Sequence, residues 1–405
     1  MNKTLLFLSG LLLTCTVSAQ PFVPQNSGLS SSSVLSSIDF VNDDIGMAVS
    51  YDGEIVKTIN GGTNWVSQNS GTSTALRDVV MIDAQTAVAV GYNGLIIRTS
   101  NGGSAWTPIA SGTTQNLVSV ILNNSVLYIS GVDGEVLKSV NSGLTWTTLT
   151  VGNGSNPKTV YFTSATTGYV GCEYGEIYKT INGGSSWTQQ TTGLEGLSGN
   201  YQLIGMYFTD ANNGIVVGGN AQTGDGVILR TVNAGTIWSS QFLANNYMGS
   251  VDFLNSTTGF ISGGSISGNT STILKTTDGG ATWNVQSTSS SRQVGAAFPS
   301  QTAGYTCGLN GTILKISNIA LGTDELAPEI KLDVFPNPGN GQFNLFVAEE
   351  MVTDNTLVEV LNLNGEVVLE QEYRTNVDIS NLVNGIYFIR VRNKTFSVAK
   401  KVIKE

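Results

Sequence analysis

The sequence predicts an all-β protein, namely a seven-bladed β-propeller followed by a small immunoglobulin-like β-sandwich. Three observations support this: a local pattern ending in tryptophan recurs with a period near 40 residues, short strands between turns are punctuated by glycine, and the composition changes near residue 320. The length of 405 residues allows two or three domains. We expect a propeller over residues 20–320, a linker over 321–331 and a sandwich over 332–405.

The six tryptophans of the chain all end one repeated pattern, of which KTINGGTNW and KTTDGGATW are two copies. These tryptophans are Trp65, Trp106, Trp146, Trp187, Trp238 and Trp283. An Asn or Asp stands five residues before each of them: Asn60, Asn101, Asn141, Asn182, Asn233 and Asp278. A period near 40 with several short strands per unit is typical of propeller blades and not of helical solenoids.

One repeat shows how a blade is built. An apolar inner strand is predicted over residues 35–41, a second strand over 46–51 and a third over 54–58, with a hairpin turn at Asp52-Gly53. Asn60-Gly61-Gly62 forms the next turn, and a polar outer strand follows Trp65. Each repeat is therefore expected to form one four-stranded sheet.

The ring is predicted to close through the N-terminal strand. The inner strand recurs seven times, but the last repeat ends at Asn318 without a tryptophan or an outer strand. The segment FVPQNSG at residues 22–28 matches WVSQNSG at 65–71 in five of seven positions. We expect residues 22–28 to complete the seventh blade, because closure removes exposed sheet edges.

The repeated pattern S/T-x-D/N-x-G-x-x-W resembles the Asp-box of sialidases, sortilin-type receptors and some glucan hydrolases. Strings such as TTDGGATW at this period are most similar to the single-propeller family of photosystem II assembly factors, over residues 22–318. The resemblance implies the fold. In such a turn the Asx side chain accepts backbone N–H bonds, glycines supply positive φ and Trp packs beneath the hairpin, so we interpret the repeated Asn and Trp residues as structural.

Composition excludes several function classes. Without histidine the chain cannot run Ser-His-Asp or Cys-His catalysis or build a histidine-ligated metal site. A net charge of −10 opposes nucleic-acid binding. Cys172 and Cys307 occupy nearly equivalent positions in two non-adjacent repeats, so they are expected to be buried free thiols. No cofactor and no metal are predicted.

The candidate binding site lies on the face of the ring opposite the Asp-box turns, where the turns between second and third strands meet the connections between blades. Loops on a rigid ring that are rich in Tyr and Asn suit a protein or carbohydrate ligand. The candidate ligand-binding residues are Tyr51, Asp52, Arg77, Tyr92, Asp133, Glu173, Tyr174 and Arg292, with Asn93, Tyr201 and Asn310 nearby. Each of them could equally be an ordinary turn residue that faces water.

A sialidase and a glycoside hydrolase are the enzyme classes that such a propeller could also represent. A sialidase needs three arginines for the substrate carboxylate, but Arg98 and Arg230 occupy the repeating Lys/Arg position, which leaves only Arg77 and Arg292. A glycoside hydrolase needs two opposed carboxyl groups, one with a raised pKa. Asp52, Asp133 and Glu173 are available, so this activity remains the alternative function.

The N-terminus is expected to be a secretory signal peptide over residues 1–19. Lys3 precedes an apolar run over residues 5–13, and Val17-Ser18-Ala19 forms a small-residue cleavage site. A degenerate lipobox that would leave Cys15 lipid-modified is the weaker alternative. No later window approaches the roughly 20 apolar residues of a transmembrane helix, so no transmembrane segment is predicted.

The C-terminal region differs in composition from the rest. Residues 20–320 contain 10 basic and 16 acidic residues, whereas residues 321–405 contain 8 and 13 in less than a third of the length. About seven short β-rich runs suggest an immunoglobulin-like sandwich. The ordered motifs of this region resemble the type A sorting domain of the type IX secretion system of Bacteroidetes. They include Pro336, Asn337, Pro338, Gly385, Tyr387, Lys400 and Lys404.

The sorting-domain resemblance implies passage across the outer membrane and a pair of partners, the type IX secretion machinery and its C-terminal-domain peptidase. Cleavage before the domain, followed by surface attachment or release, is also implied. The propeller of an exported protein has no thylakoid partner, so only the fold of the photosystem family is carried over. We therefore expect a secreted or cell-surface, non-enzymatic binding or structural module.

Overall fold

A computed structural model describes residues 22–123, 125–152, 155–197, 199–266, 270–317, 332–347, 352, 356–362, 366–393 and 397–405. The expected signal peptide with Cys15 and the expected linker lie outside the described residues. The chain divides into two compact units between Thr323 and Asp324. Within the described ranges, no helix is long and apolar enough to span a membrane.

The first unit is a seven-bladed β-propeller, which confirms the predicted fold class. Its N-terminal strand is β1 (Val23–Gln25). Blade 1 comprises β2 (Leu35–Phe40), β3 (Gly46–Ser50), β4 (Ile55–Thr58) and β5 (Val66–Gln68). Blade 2 comprises β6 (Leu76–Met81), β7 (Ala87–Gly91), β8 (Ile96–Thr99) and β9 (Thr107–Ile109). Blade 3 comprises β10 (Leu117–Asn123), β11 (Val126–Gly131), β12 (Glu135–Ser139) and β13 (Thr147–Thr150).

The remaining blades follow the same order of strands. Blade 4 comprises β14 (Pro157–Phe162), β15 (Gly168–Cys172), β16 (Ile177–Thr180) and β17 (Thr188–Gln190). Blade 5 comprises β18 (Tyr201–Phe208), β19 (Gly214–Asn220), β20 (Gly226–Thr231) and β21 (Ser239–Leu243). Blade 6 comprises β22 (Tyr247–Phe253), β23 (Gly259–Gly264), β24 (Ser271–Thr276) and β25 (Asn284–Ser289). Blade 7 comprises β26 (Gln293–Ala297), β27 (Ala303–Gly308), β28 (Ile313–Ser317) and β1. Single 3₁₀ turns occupy Tyr92–Gly94, Glu173–Gly175 and Leu309–Gly311.

The ring closes where the two ends of the propeller sequence meet. Strand β1 pairs antiparallel with β28, with Val23 opposite Lys315 and Gln25 opposite Ile313. The inner strand of each blade contacts the next one around the ring, and β26 contacts β2. Phe22 packs in a buried cluster with Phe260 and Phe298. The N-terminal segment therefore supplies both a strand and a core side chain to blade 7.

Aromatic stacking between blades fills the propeller core. Phe40 of blade 1 stacks on Tyr305 of blade 7 with ring centroids 3.9 Å apart, and Tyr128 of blade 3 stacks on Phe162 of blade 4 at 3.8 Å. Trp65 meets the edge of Phe40 at an interplanar angle of 89°. These contacts bury large apolar areas, and this hydrophobic burial stabilises the packing between blades.

The Asp-box turns are held by a repeated set of hydrogen bonds. Thr58 Oγ1 accepts the Gly62 N–H at 2.9 Å, and Asn60 Oδ1 accepts the Asn64 N–H at 2.9 Å. Gly62 has φ +78°, a conformation that glycine adopts without strain. The same bonds recur at the five other tryptophan turns, which is why the pattern is a folding element.

The repeating Lys/Arg position ties neighbouring blades together. Lys57 Nζ donates to the carbonyl of Gly102 in the Asp-box turn of blade 2, at 2.7 Å. Arg98 donates to Ser142 and Arg230 donates to Gly279 in the same way. Lys315 Nζ of blade 7 donates to Gly61 O of blade 1 at 2.6 Å, so the same kind of hydrogen bond also joins the two ends of the ring.

Blades 5 and 6 have longer inner strands than blades 1 and 2. Strand β18 has eight residues and β22 has seven, whereas β2 and β6 have six each. Their partners β19 and β23 are also extended, so Tyr201 pairs with Asn220 and Tyr247 with Gly264. The longer hairpins of these two blades supply the additional pairing.

Within its described residues, the second unit contains seven strands in two sheets. They are β29 (Asp333–Phe335), β30 (Gln342–Phe346), β31 (Leu357–Leu361), β32 (Val367–Glu372), β33 (Asn376–Asp378), β34 (Gly385–Arg392) and β35 (Ser397–Lys404). One sheet has the order β29-β30-β33 and the other β32-β31-β34-β35. A buried cluster that includes Phe343, Val360 and Ile389 forms the core of this β-sandwich.

Several residues of the predicted sorting motif hold the last strand of this unit. The Asn337 side chain bonds the backbone of β35 on both sides, donating to Lys401 O at 2.8 Å and accepting from Ile403 N at 2.9 Å. Lys404 Nζ donates to Leu382 O at 2.7 Å, and the Tyr387 hydroxyl donates to Val383 O. Lys400 lies 3.9 Å from Asp333, and Gly385 pairs with Lys404 across β34 and β35. Pro336 and Pro338 flank Asn337 in the same loop.

Candidate functional site

The candidate residues lie on the face opposite the Asp-box turns. On the Asp-box side, Gly61 N–H donates to Asp44 O in the turn between β2 and β3. On the other side, Ser70 Oγ in the connection between blades 1 and 2 donates to Gly53 O in the turn between β3 and β4, at 2.6 Å. Turns between second and third strands and connections between blades therefore share one face, which we call the mouth face.

Three predicted residues meet on the mouth face at blades 1 and 2. Arg77 Nη1 donates to the Tyr51 hydroxyl at 2.5 Å. The Arg77 guanidinium carbon lies 4.9 Å from the centroid of the Tyr51 ring and 5.9 Å from that of Tyr92. The Arg77 Nε atom is buried and has no hydrogen-bond partner in the described part of the chain. This arginine is thus held by two aromatic rings and keeps an unsatisfied donor.

A second arginine has a similar environment at blades 6 and 7. The Arg292 guanidinium carbon lies 5.1 Å from the Tyr247 ring, and the Arg292 Nε atom is also buried with no partner among the described residues. The Tyr247 hydroxyl donates to Gln202 Oε1 at 3.2 Å. Burial lowers the pKa of Arg292 and raises the pKa of Tyr247 to about 12, although Arg292 and Arg77 act to lower the latter. Both arginines therefore act electrostatically on Tyr247.

Glu173 lies in an ion pair at blade 4. Lys158 Nζ is 2.8 Å from Glu173 Oε1, and Asn156 Nδ2 donates to Glu173 Oε2 at 3.0 Å. Burial acts to raise the pKa of this carboxyl, but the hydrogen bonds from Lys158 and Asn156 outweigh it and lower the pKa below its usual value. Glu173 is consequently an ionised, partnered carboxylate.

The charges of this region are unevenly matched. Arg77, Arg292 and Lys158 are cationic, and Glu173 is paired with Lys158. Among the described residues, no carboxylate lies within ion-pair distance of Arg77 or Arg292. We call the surface formed by Tyr51, Arg77, Tyr92, Tyr247 and Arg292 the arginine mouth. Its guanidinium groups suit an anionic group of a ligand, and its tyrosine rings suit an apolar part of the same ligand.

Other predicted residues lie at the tips of exposed turns. Asp52, Asn93, Asp133, Tyr174 and Asn310 are all exposed. Asn310 Nδ2 donates to Ser291 Oγ, and the half-buried Tyr201 meets the edge of Phe242.

Tyr174 combines exposure with an unusual backbone. Its φ is +59°, a region in which Asn, Asp and Gly are common and a bulky residue is an outlier. The equivalent turn positions in blades 2, 3 and 7 carry Asn93, Asp133 and Asn310. Its side chain is 64% exposed, so no core packing explains the tyrosine at this strained position.

Sequence reasoning missed residues on the inner strands. Tyr247, Lys158 and Gln202 belong to the mouth face but lie on strands, whereas most of the candidates named from the sequence lie in turns. It also missed three buried aspartates on inner strands: Asp39, Asp78 and Asp252. Each accepts a backbone N–H of the next blade, from Met81, Val120 and Phe298 respectively. Burial raises the pKa of Asp39 to about 7 and that of Asp252 to about 6, and it also raises the pKa of Asp78.

Both cysteines of the propeller are shielded from solvent. Cys172 and Cys307 are buried free cysteines, and burial raises the pKa of both thiols. In the described ranges, no group of three Cys, Asp or Glu residues is placed to hold a metal ion.

The fold and the site together define a seven-bladed propeller with a cationic, tyrosine-lined mouth, followed by a separate β-sandwich. Residues 333–405 match the family model described as a secretion system C-terminal sorting domain. Residues 64–202 match the model described as the photosynthesis system II assembly factor YCF48. The C-terminal match implies export to the cell surface or extracellular space.

Solved structures of low sequence identity share the propeller fold. YCF48 bound to a D1 peptide is 17% identical, with a TM-score of 0.57, and the alignment covers 74% of this chain and 97% of that one. YCF48 from Cyanidioschyzon merolae is 18% identical, with a TM-score of 0.56 and coverage of 74% and 99%. The WD40 propeller domain of Doa1 is 11% identical, with a TM-score of 0.55 and coverage of 74% and 97%. No curated protein matches the chain.

Proposed function

We propose that this protein is an exported, non-enzymatic binding module whose arginine mouth takes an acidic segment of a protein ligand. The observation that carries the proposal is the pair Arg77 and Arg292. Each is packed on tyrosine, has a buried Nε donor without a partner and lacks a carboxylate partner in the described part of the chain. Both arginines are half-buried, and a guanidinium group without a carboxylate partner gains a charge-assisted hydrogen bond when a ligand supplies the carboxylate.

The chemistry of the mouth favours a carboxylate. Arginine guanidinium groups bind carboxylates through short, charge-assisted hydrogen bonds, often in bidentate geometry. Tyrosine rings beside each guanidinium offer a rigid apolar surface for the rest of a peptide. The solved structure of YCF48 with a D1 peptide supports a peptide ligand, because that propeller has the same fold.

Export places the ligand outside the cell. The C-terminal unit matches a secretion sorting domain, and we propose that the type IX machinery and its C-terminal-domain peptidase handle this chain after a signal peptide over residues 1–19 directs it to the periplasm. The propeller would then act at the cell surface or after release. Its ligand would be a protein encountered there.

The glycoside hydrolase alternative finds less support in the geometry. Such an enzyme needs a carboxyl group with a raised pKa, whereas the pKa of Glu173 is lowered by Lys158 and Asn156. Asp52 and Asp133 lie at exposed turn tips. The carboxyls with raised pKa values, such as Asp39, accept backbone N–H groups between blades, which is a structural role.

A peptide array combined with a glycan panel tests the proposal. Purified chain is applied to an array of random dodecapeptides, and we expect its binders to be enriched in Asp and Glu. The variant with Arg77→Met and Arg292→Met should lose this binding, by about tenfold for each arginine. A charge-matched control replaces the exposed Arg374 and Lys401 of the second unit by Met and should bind as the parent does.

Two results would overturn the proposal. One is undiminished binding of acidic peptides by the double arginine variant. The other is hydrolysis of any glycan in the panel that Asp133→Asn or Glu173→Gln abolishes, because that outcome would establish the enzyme.

A further inference from the structure

A cleft of about 710 Å³ opens on the mouth face between blades 2 and 3. Its walls include Tyr92, Leu95, Pro108, Ile109, Thr113 and Glu135. Glu135 is the only charged residue among those that line it. Tyr92 also lies beside Arg77, so the cleft adjoins the arginine mouth.

Glu135 differs from the equivalent residues of other blades. Glu54, Glu135 and Glu176 occupy the same repeat position, directly before or at the start of the third strand. Glu54 accepts a hydrogen bond from Ser50 Oγ at 3.2 Å, and Glu176 accepts from Tyr178 and Gln189. The Oε2 atom of Glu135 is buried and has no partner among the described residues. Of these three glutamates, only Glu135 has a buried oxygen without a partner among the described residues.

Glu135 lines the cleft and forms no ion pair among the described residues, and a cationic donor forms the strongest hydrogen bond with a carboxylate. The other walls suit the remainder of a long basic side chain. Leu95, Pro108 and Ile109 offer apolar contacts to a methylene stem, and Tyr92 offers an aromatic surface. Lysine and arginine combine such a stem with a cationic head.

We propose that this cleft binds a lysine or arginine side chain of the protein ligand. The inference rests on the proposed function in taking the ligand to be a protein. The recognised segment then carries an acidic residue for the arginine mouth and a basic residue for the cleft, with Tyr92 between the two subsites. A carboxylate subsite beside a cationic mouth also discriminates against segments that are uniformly acidic.

A ligand the size of one amino acid tests binding in the cleft independently of the arginine mouth. Nα-acetyl-lysine methylamide is titrated into the full chain and followed by saturation-transfer NMR, with Nα-acetyl-norleucine methylamide as its uncharged match. A ligand of this size should bind in roughly the millimolar range. We expect the lysine probe to bind about tenfold more tightly than the norleucine probe and to be displaced by salt.

Variants with nearly unchanged side-chain shape assign the binding to one residue. Glu135→Gln should weaken the lysine probe about tenfold, to the level of norleucine, while Glu54→Gln and Glu176→Gln should leave it unchanged. A thermal melt of each variant checks folding. Arg77→Met with Arg292→Met should not weaken the lysine probe, so failure of the arginine mouth and failure of the cleft give different results.

Three outcomes overturn the inference: no binding of the lysine probe in the millimolar range, equal binding of lysine and norleucine, or lysine binding that Glu135→Gln does not change. Glutamate-dependent binding of a neutral oligosaccharide in place of the lysine probe would also overturn it, because the cleft would then be a sugar site.

Discussion

The carboxylate of Asp39 on β2 accepts the backbone N–H of Met81 on β6 at 2.6 Å, and so joins the inner strands of blades 1 and 2. Asp78 and Asp252 make the same kind of bond to blades 3 and 7. Burial raises the pKa of all three carboxyls. The three aspartates therefore hold the ring together and also make its stability sensitive to pH.

The propeller should lose stability as pH rises from about 4, near the unfolded pKa of aspartate, to about 7. A carboxyl with a raised pKa binds protons more tightly in the folded state, so its stabilising effect is complete at low pH and disappears above the folded pKa, which is about 7 for Asp39. Each unit of pKa shift corresponds to about 1.4 kcal/mol. Asp39→Asn keeps an oxygen for Met81 and should flatten the dependence. Urea unfolding between pH 5 and 8 measures it, and an Asp39→Asn variant as pH-dependent as the parent would contradict this interpretation.

The second unit should respond to acid in the opposite direction. Arg392 and Arg390 bond the Glu359 carboxylate at 2.7 and 2.5 Å and hold its pKa at about 2, against the opposing effect of burial. A lowered pKa stabilises the fold above the unfolded value near 4.5, and this stabilisation is lost as pH falls towards 2. Glu359→Gln should lower the melting temperature of this unit at pH 7 and remove its acid dependence. Calorimetry of parent and variant at pH 3 and pH 7 tests this, and equal losses on acidification would refute it.

Removal of the N-terminal strand should open the ring. A chain that lacks residues 22–28 loses the pairing of β1 with β28, the Phe22 core contact and the bond from Ser27 Oγ to Gly311 O. Phe22→Ala alone should reduce the free energy of unfolding by about 3 kcal/mol, whereas Val23→Thr, at a side chain 53% exposed, should have little effect. An unchanged melting transition after the deletion would show that closure does not depend on this strand.

We expect Asn337 to act by stabilising the folded C-terminal unit, and not by contacting the secretion machinery directly. Asn337→Ala removes both side-chain bonds to β35, which should cost about 2 kcal/mol. Lys404→Met removes the bonds to Leu382 and Asn384. We expect both variants to melt earlier and to be exported less, while Lys400→Met, at an exposed pair 3.9 Å apart, should melt as the parent does. Reduced export with unchanged melting for Asn337→Ala would point to direct recognition instead.

The fold could be predicted from the sequence because the blades carry the same local sequence pattern. Six tryptophan turns and the match of residues 22–28 to 65–71 defined seven blades and their closure. The site was predicted less completely. Arg77, Tyr51 and Tyr92 stood out as departures from the repeat, but Tyr247 became visible only through its contact with Arg292 across two blades.

Glu135 shows the limit of sequence reasoning most clearly. It shares a repeat position with Glu54 and Glu176, and nothing in the sequence distinguishes the three. Their difference lies in hydrogen-bond partners and burial, which depend on neighbouring side chains in space. Tyr174 was named from the sequence, yet its positive φ was not foreseen, because Asn and Asp are the usual residues in that conformation.

The most direct test of the central claim is a double-mutant cycle at the arginine mouth. The tightest acidic peptide from the array is titrated calorimetrically, alongside its Asp-to-Asn and Glu-to-Gln counterpart, into the parent and into the chain with Arg77→Met and Arg292→Met. If the arginines bind the peptide carboxylate, neutralising the peptide and removing the arginines should each weaken binding, and the combined loss should be no larger than either loss alone. Losses that simply add would show that the acidic group binds elsewhere and would contradict the account.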